Sequence, residues 1–119
     1  MKILVIDDDP DILELVAIVL RSHNMGAITL SDPKLLLKQL AQNKPDLLLM
    51  DINMPPFDGR HLCAELKANK LNIPIVLFPA NNITPESIVD CRADGFLQKP
   101  FDIDKLIATV HVTLKQYLS

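Results

Sequence analysis

Four charged side chains that could act together stand at or just after the ends of short apolar runs. Asp7 and Asp8 follow the first run, in "ILVIDDD", and Asp51 follows another, in "LLLMD". Lys99 stands two residues after the last run, in "GFLQKPF". Carboxylates that share a cleft cannot all stay ionised without compensation. A hard divalent cation would supply the missing positive charge, so the pattern predicts a metal site.

The same residue types suit the transfer of a phosphoryl group. Mg²⁺ binds one or two protein carboxylates, keeps water molecules and shares its other positions with phosphate oxygens. A lysine beside it can pair with a carboxylate or a phosphoryl oxygen. A carboxylate placed next to both can itself accept a phosphoryl group as a covalent intermediate. The protein's contribution to such chemistry is positioning and charge neutralisation.

Two other acidic motifs fit the sequence less well. Asp7, Asp9 and Asp11 have the alternate spacing of a calcium loop, but that loop needs glycine at its sixth position, where Ile12 stands. The Asp7-x-Asp9 pair also resembles enzymes with paired carboxylates at a strand end, and no second matching motif supports them. We expect Asp9 to cap the first helix, because Pro10 follows it.

The elements that must position these groups alternate along the chain. Apolar runs predict five strands, at Ile3–Ile6, Ala27–Leu30, Leu47–Met50, Ile75–Phe78 and Gly95–Leu97. Helical spacing predicts apolar stripes at Ile12, Leu15, Val16, Val19 and Leu20 and at Ile103, Leu106, Ile107, Val110 and Leu114. Helix starts are indicated by Asp9-Pro10, Asp32-Pro33, Thr84-Pro85 and Asp102.

This alternation predicts one α/β domain over residues 1–119, with five parallel strands and five helices. The run Leu47–Met50 is apolar at every position, which is typical of a central strand covered by helices on both faces. Ligands of open parallel sheets bind outside the carboxyl ends of the strands. Asp7, Asp8, Asp51 and Lys99 should therefore meet at one edge of the sheet.

Composition excludes several other classes of protein. The net charge is −3 and the basic residues are scattered, so we expect no nucleic-acid binding by this domain. No apolar run spans a membrane and the N-terminus does not resemble a signal peptide, which favours the cytoplasm. Cys63 and Cys91 lack metal-ligand or redox spacing and should be buried or half-buried thiols. We expect His23, His61 and His111 to be structural or solvated.

Four stretches together resemble the receiver domain of two-component response regulators. They are "VIDDD", "DLLLMDINMPPFDG", "IPIVLFPA" and "GFLQKPF", in the order and at the separations of that family. Each stretch alone is a weak match, but together they cover four of the five predicted strand ends. The resemblance implies a flavodoxin-like three-layer sandwich with the strand order 2-1-3-4-5.

The resemblance also implies a role for each acid. Asp51 would be the phosphoacceptor. Asp8 would bind Mg²⁺ or Mn²⁺ directly, and Asp7 would bind it chiefly through water. Asp51 itself and the backbone carbonyl of Asn53 would complete the ligands that the protein supplies.

Further residues would contact the phosphoryl group or respond to it. Lys99 would contact Asp51 or the phosphoryl group, and the backbone N–H of Ala80 would donate to it. The Lys99–Pro100 peptide would be cis, a form that costs little only before proline. Phe96 falls at the position of the switch aromatic, and Gly59 would close the loop after Asp51.

One departure from the family pattern concerns the switch. The family has threonine or serine at the end of the fourth strand, and Pro79 stands there in this chain. Proline has neither a hydroxyl group nor a backbone N–H. Phosphorylation remains consistent with Asp8, Asp51 and Lys99, but movement of a hydroxyl toward the phosphoryl group is lost.

We therefore predict a signalling phosphoacceptor and not an enzyme. Its partners would be a sensor histidine kinase or a histidine phosphotransfer protein, and a downstream protein at the face of the fourth helix, fifth strand and fifth helix. The sequence leaves homodimerisation open. The alternative is a pseudo-receiver that binds proteins without phosphorylation, which Pro79 favours. An independent hydrolase is disfavoured because no general base or leaving-group acid is identifiable.

Overall fold

The computed structural model describes residues 1–78 and 91–118. In chain order its elements are β1 (Lys2–Ile6), α1 (Pro10–Ser22), β2 (Gly26–Leu30), a 3₁₀ helix (Pro33–Leu35), α2 (Leu36–Asn43), β3 (Leu47–Met50), β4 (Asn53–Met54), β5 (Phe57–Asp58), α3 (Gly59–Ala68), β6 (Ile75–Leu77), β7 (Gly95–Phe96) and α4 (Ile103–Leu118). The five predicted strands are confirmed to within one residue at each end. The predicted helix start at Thr84-Pro85 lies outside the described residues.

The main sheet is parallel and has the order β2-β1-β3-β6-β7. Counted among these five strands alone, the order is 2-1-3-4-5, as predicted. Its register aligns the carboxyl ends, because Ile6 pairs with Leu30 and with Met50, Met50 pairs with Leu77, and Leu77 pairs with Phe96. The residues that follow these strands therefore begin at a common edge.

Helices pack on both faces of the sheet, with an apolar core on each side, and this gives the predicted three-layer sandwich. Successive side chains of a strand point to opposite faces. Ile3 and Val5 of β1 accordingly join the core with α1 and α4, whereas Leu4 and Ile6 join the core with α2 and α3. Every side chain of β3 is fully buried, in keeping with its position at the centre of the sheet.

Helix starts follow the predicted caps with one difference. Asp9 accepts a hydrogen bond from the Asp11 N–H and caps α1, and Asp102 accepts one from the Lys105 N–H before α4. Asp32 also caps, but the residues after it form a 3₁₀ turn before α2 begins.

The predicted apolar stripes of α1 and α4 are wrong at one position each. Leu15 is 51% exposed and Ile103 is 53% exposed, although both were predicted to face the core. In α1 the buried face instead includes Leu13 and Ala17. Apolar residues surround more of α1 than the sheet can cover, so periodicity alone cannot select the buried face.

The two cysteines are buried and are not joined in a disulfide, as predicted. The Cys63 thiol donates a hydrogen bond to the Cys91 carbonyl oxygen at 3.3 Å. Burial, with a smaller effect of Cys91, raises the pKa of Cys63 to about 12. Cys63 is therefore an unreactive thiol at neutral pH. Across the described residues, no helix is long and apolar enough to cross a membrane.

Candidate functional site

The backbone hydrogen bonds of the sheet continue for one residue beyond the ends of β1, β3 and β6. The Asp7 N–H donates to the Leu30 carbonyl at 3.2 Å, and the Asp51 N–H donates to the Ile6 carbonyl at 2.9 Å. The Phe78 N–H likewise donates to the Met50 carbonyl at 3.0 Å. Residues 7, 51 and 78 are thus fixed in register at the carboxyl edge, as the strand ends predicted.

Three carboxylates meet at this edge. Asp7, Asp8 and Asp51 each place an oxygen within 4.8 Å of the oxygens of the other two. Asp7 is 1% exposed and Asp51 is 3% exposed, whereas Asp8 is exposed to solvent. The cluster therefore opens to solvent on the side of Asp8.

Lys99 balances part of this negative charge. Its Nζ lies 2.8 Å from Asp7 Oδ2 and 3.4 Å from Asp51 Oδ1. The ammonium also lies 4.6 Å from the centre of the Phe78 ring. The Lys99–Pro100 peptide that leads into α4 is cis. We expected contact with Asp51, and Lys99 lies closer to Asp7.

Backbone donors orient the two buried carboxylates. Asp7 Oδ1 accepts a hydrogen bond from the Asp9 N–H at 2.9 Å, while Asp7 Oδ2 accepts from Lys99. Asp51 Oδ1 accepts from the Ile52 N–H at 2.9 Å. These bonds fix the carboxylate planes, so the geometry of the cluster is set before a ligand arrives.

The electrostatics show that the cluster is short of positive charge. Burial and, to a smaller extent, the charge of Asp7 raise the pKa of Asp51 to about 6, although the Lys99 ammonium opposes both effects. Partial burial and the neighbouring Asp7 also raise the pKa of Asp8. The single positive charge of Lys99 therefore does not neutralise the negative charge of three carboxylates.

This donor set fits a small hard cation. Its side-chain ligands are all oxygen atoms, and the raised pKa of Asp51 shows that further positive charge would be stabilising there. Sulfur and nitrogen ligands, which softer metals prefer, are absent from the cluster.

The loop after Asp51 forms a small hairpin that was not predicted from the sequence. Asn53 in β4 pairs with Asp58 in β5, around a turn that contains a cis Pro55–Pro56 peptide. Strands of two residues are too short to show periodicity, although the Pro-Pro dipeptide was a turn signal. The exposed Asn53 therefore starts the hairpin two residues after Asp51.

Gly59 joins this hairpin to α3 and touches the backbone of the acidic site. Its N–H donates to the Ile52 carbonyl at 2.7 Å. A Cβ added at Gly59 would lie 2.1 Å from the carbonyl oxygen of Asp51. No side chain fits at that distance, so glycine is required for this close approach.

Asp58 lies outside the cluster, and its role is that of a helix cap. It accepts a hydrogen bond from the Arg60 N–H at 2.8 Å and forms a two-point ion pair with the Arg60 side chain. The Arg60 guanidinium lowers the pKa of Asp58. The Asp-x-Arg spacing is the sequence signal for this pair.

The remaining predicted site residues are distributed as follows. Phe96 is half-buried in β7 and packs against the core that includes residues of α2 and α3. Pro79 and Ala80 lie outside the described residues. His23, His61 and His111 are exposed. Phe78 was not predicted as a site residue, and its only sequence signal is an aromatic side chain at the end of a predicted strand.

Comparison with known proteins assigns the chain to a family. Residues 3–111 match the response regulator receiver domain. The DNA-binding response regulator MtrA of Mycolicibacterium smegmatis is 32% identical over 97% of this chain and 51% of its own length. The alkaline phosphatase synthesis transcriptional regulatory protein PhoP of Bacillus subtilis is 32% identical over 97% of this chain and 49% of its own length. The chain thus spans about half the length of these curated relatives.

Solved structures give the same assignment. The BeF₃-activated receiver domain of RstA from Klebsiella pneumoniae matches with a TM-score of 0.88 and 30% identity, covering 98% of this chain and 100% of that one. The receiver domain of the Francisella response regulator 1452 matches with a TM-score of 0.86 and 30% identity, covering 97% of each chain. Phosphorylation and Mg²⁺ dependence are general features of these proteins. The chain belongs to the response regulator receiver domain family of two-component signalling systems.

Proposed function

We propose that Asp51 accepts a phosphoryl group from a phosphohistidine of a sensor histidine kinase or a histidine phosphotransfer protein. The observation that carries this proposal is the convergence of Asp51 with Asp7, Asp8 and Lys99 at the carboxyl edge of the sheet. Asp51 is buried beside Asp7 and Asp8, and its Oδ1 lies 3.4 Å from Lys99 Nζ. We take residues 1–119 as one receiver domain, since the family match covers residues 3–111.

The proposed transfer uses only the donor phosphohistidine, the Asp51 carboxylate and one proton from solvent. An oxygen of the Asp51 carboxylate attacks phosphorus, and an O–P bond forms. The P–N bond to the donor histidine breaks, its electron pair stays on the imidazole nitrogen, and that nitrogen takes a proton from solvent. Lys99 Nζ lies 3.4 Å from Asp51 Oδ1 and would pair with the oxygens of the incoming group.

The acids would hold Mg²⁺, or Mn²⁺, beside the reacting carboxylate. Asp8, Asp51 and the Asn53 backbone carbonyl are the ligands we propose, with Asp7 bound chiefly through water. The hydrogen bonds that Asp7 accepts from Asp9 and Lys99 support this indirect role, because both of its oxygens are already engaged. When bound, the ion supplies charge neutralisation for the phosphoryl oxygens.

Output would be a changed protein contact and not the turnover of a substrate. We propose that the face of β7, α4 and the predicted helix after Thr84 binds a downstream protein or a second copy of the chain. Val112, on the exposed side of α4, is 52% exposed, and we include it in this face. Receiver domains are signalling domains, and response regulators usually work in the cytoplasm, where we place this protein.

The test is incubation with a small phosphodonor and Mg²⁺, followed by intact-mass measurement. The wild type should gain one phosphoryl adduct, and the isosteric variant Asp51→Asn should gain none. A matched Asp104→Asn variant, which changes an exposed acid of α4, should react like the wild type. A wild type without an adduct, with the Mg²⁺ present, would refute the proposal.

The second candidate is a pseudo-receiver that binds its partner without phosphorylation. The observation in its favour is Pro79, which supplies no hydroxyl group at the expected switch position. BeF₃⁻, a mimic of the phosphoryl group, separates the two ideas. If it binds at Asp51 but leaves the amide NMR signals of Phe96 and α4 unchanged, then phosphorylation does not switch this face.

A further inference from the structure

We infer that Phe78 is a positioning residue for Lys99, whose ammonium it holds against the acidic cluster through the face of its ring. The inference deepens the proposed function, because its effect on phosphoryl transfer rests on Asp51 being the acceptor. The contact itself does not depend on that function. It can therefore be measured in the unphosphorylated protein.

The Lys99 ammonium has neighbours of two kinds. Asp7 lies 2.8 Å away and Asp51 lies 3.4 Å away, and both are carboxylates. The third neighbour is the Phe78 ring, with its centre 4.6 Å from Nζ. A cation within about 6 Å of a ring centre is attracted by the negative face of the aromatic system. The ring therefore supplies attraction on a side of the ammonium that the carboxylates do not occupy.

The ring is held firmly enough to act as a fixed surface. Phe78 is fully buried, and its N–H donates to the Met50 carbonyl directly before Asp51. Its ring also packs edge-on against Phe101, with centroids 6.3 Å apart and planes at 70°. A proline follows Phe78 in the sequence and restricts its backbone to extended conformations. The ring and the Asp51 carboxylate are thus set by the same pair of strands.

This arrangement would matter because lysine has a long, flexible side chain. Ordering such a chain costs conformational entropy each time it moves into place. A fixed ring face reduces that cost and keeps the ammonium at the reacting carboxylate before the donor binds. A leucine at position 78 would fill much of the same space in the core but offers no such face.

The experiment replaces Phe78 with phenylalanine analogues that carry one, two or three ring fluorines. Fluorination weakens the negative face of the ring while nearly preserving its shape. The same series at Phe101, which packs on Phe78, serves as the matched control for packing. Two quantities are measured at each step: the NMR shift of the Lys99 ε-methylene protons, and the rate of phosphorylation by a small donor.

In the wild type the ring current of Phe78 should shift the Lys99 ε-methylene protons upfield. Stepwise fluorination at position 78 should reduce the phosphorylation rate progressively, in total by roughly two- to thirtyfold, the range expected of cation–π contacts. Phe78→Leu should abolish the upfield shift and slow the reaction to a similar extent. Fluorination at Phe101 should change neither quantity.

Two results would overturn the inference. The first is a wild-type Lys99 signal without a ring-current shift, which would show that the contact does not form in solution. The second is a rate that is independent of fluorination at position 78, which would make Phe78 an ordinary core residue. If no variant or wild type reacts while the Lys99 shift is present, the proposed function fails and the contact stands.

Discussion

The Lys99 ammonium pairs more closely with Asp7 than with the proposed acceptor, at 2.8 Å from Asp7 Oδ2. Asp7 is almost completely buried, so this pair is well shielded from water. Removing one partner of such a pair leaves an uncompensated buried charge, which is strongly destabilising. Lys99 should therefore stabilise the metal-free fold as well as the phosphoryl group.

Lys99→Met should lower the free energy of unfolding of the metal-free protein by about 3 kcal/mol at neutral pH. Urea denaturation measures this value. Saturating Mg²⁺ should recover part of the loss, because the ion supplies positive charge to the same acids. Lys105→Met, an exposed change on α4, is the control and should cost well under about 1 kcal/mol. Equal effects of the two substitutions would contradict the assigned role of Lys99.

The pH dependence of the free energy of unfolding should reflect the titration of Asp51. Its pKa is about 6 in the folded state and 3.8 in the absence of the fold. The folded state therefore binds the proton more tightly, and the resulting stability is present at low pH. It is lost as the pH rises through about 6. Asp8, whose pKa is also raised, acts in the same direction.

Without Mg²⁺, this effect of Asp51 should remove on the order of 3 kcal/mol of stability between about pH 4 and pH 7. Denaturant titrations of the wild type and of Asp51→Asn at several pH values give the difference directly. The variant should be the more stable protein at neutral pH and should show a flatter profile. A wild-type profile that runs parallel to that of the variant would show that Asp51 ionises normally.

Gly59 should tolerate no side chain. In Gly59→Ala the new Cβ would lie 2.1 Å from the Asp51 carbonyl oxygen, which is backbone and cannot rotate away. We expect a loss of about 2–3 kcal/mol, together with weaker Mg²⁺ binding, because the residues after Asp51 must move. Gly26→Ala is the control, since its nearest contact would be 3.4 Å, an ordinary separation. Similar melting temperatures for the two variants would rule out the close approach.

The positions of the carboxylates could be predicted from the sequence, but the finer arrangement of the site could not. Apolar runs mark the strand ends, and parallel strands bring those ends to one edge, so Asp7 and Asp51 had to meet. The preference of Lys99 for Asp7 depends on several side-chain torsions that no local pattern encodes. The position of the Phe78 ring beside the Lys99 ammonium depends on the register between strands that are far apart in sequence.

The buried face of a helix is likewise only partly predictable from the sequence. The spacing of α1 predicted Leu15 on the buried stripe, but Leu15 is exposed and the buried face includes Leu13 and Ala17. Periodicity identifies an amphipathic helix, whereas its rotation is set by packing against the whole sheet. The role of Asp58 was also not settled by the sequence, because an aspartate before a glycine is compatible with both a turn and a helix cap.

Asp58 should matter for stability and not for phosphorylation. Asp58→Ala removes the α3 cap and the ion pair with Arg60, both partly exposed, and should cost about 1 kcal/mol. Asp58→Asn keeps the cap and should cost less. Thermal melts give the ranking, and both variants should take up a phosphoryl group at the wild-type rate. A large loss of rate in Asp58→Asn would place Asp58 within the site.

The central claim is that Asp51, and no other acid, carries the phosphoryl group. Borohydride reduces an aspartyl phosphate to homoserine, so peptide mass spectrometry after reaction with a phosphodonor and Mg²⁺ identifies the residue. We predict homoserine at position 51, its loss on Mg²⁺ removal, and none in Asp51→Asn. Homoserine at Asp7, Asp8 or Asp58, or its absence from the wild type, would contradict the account.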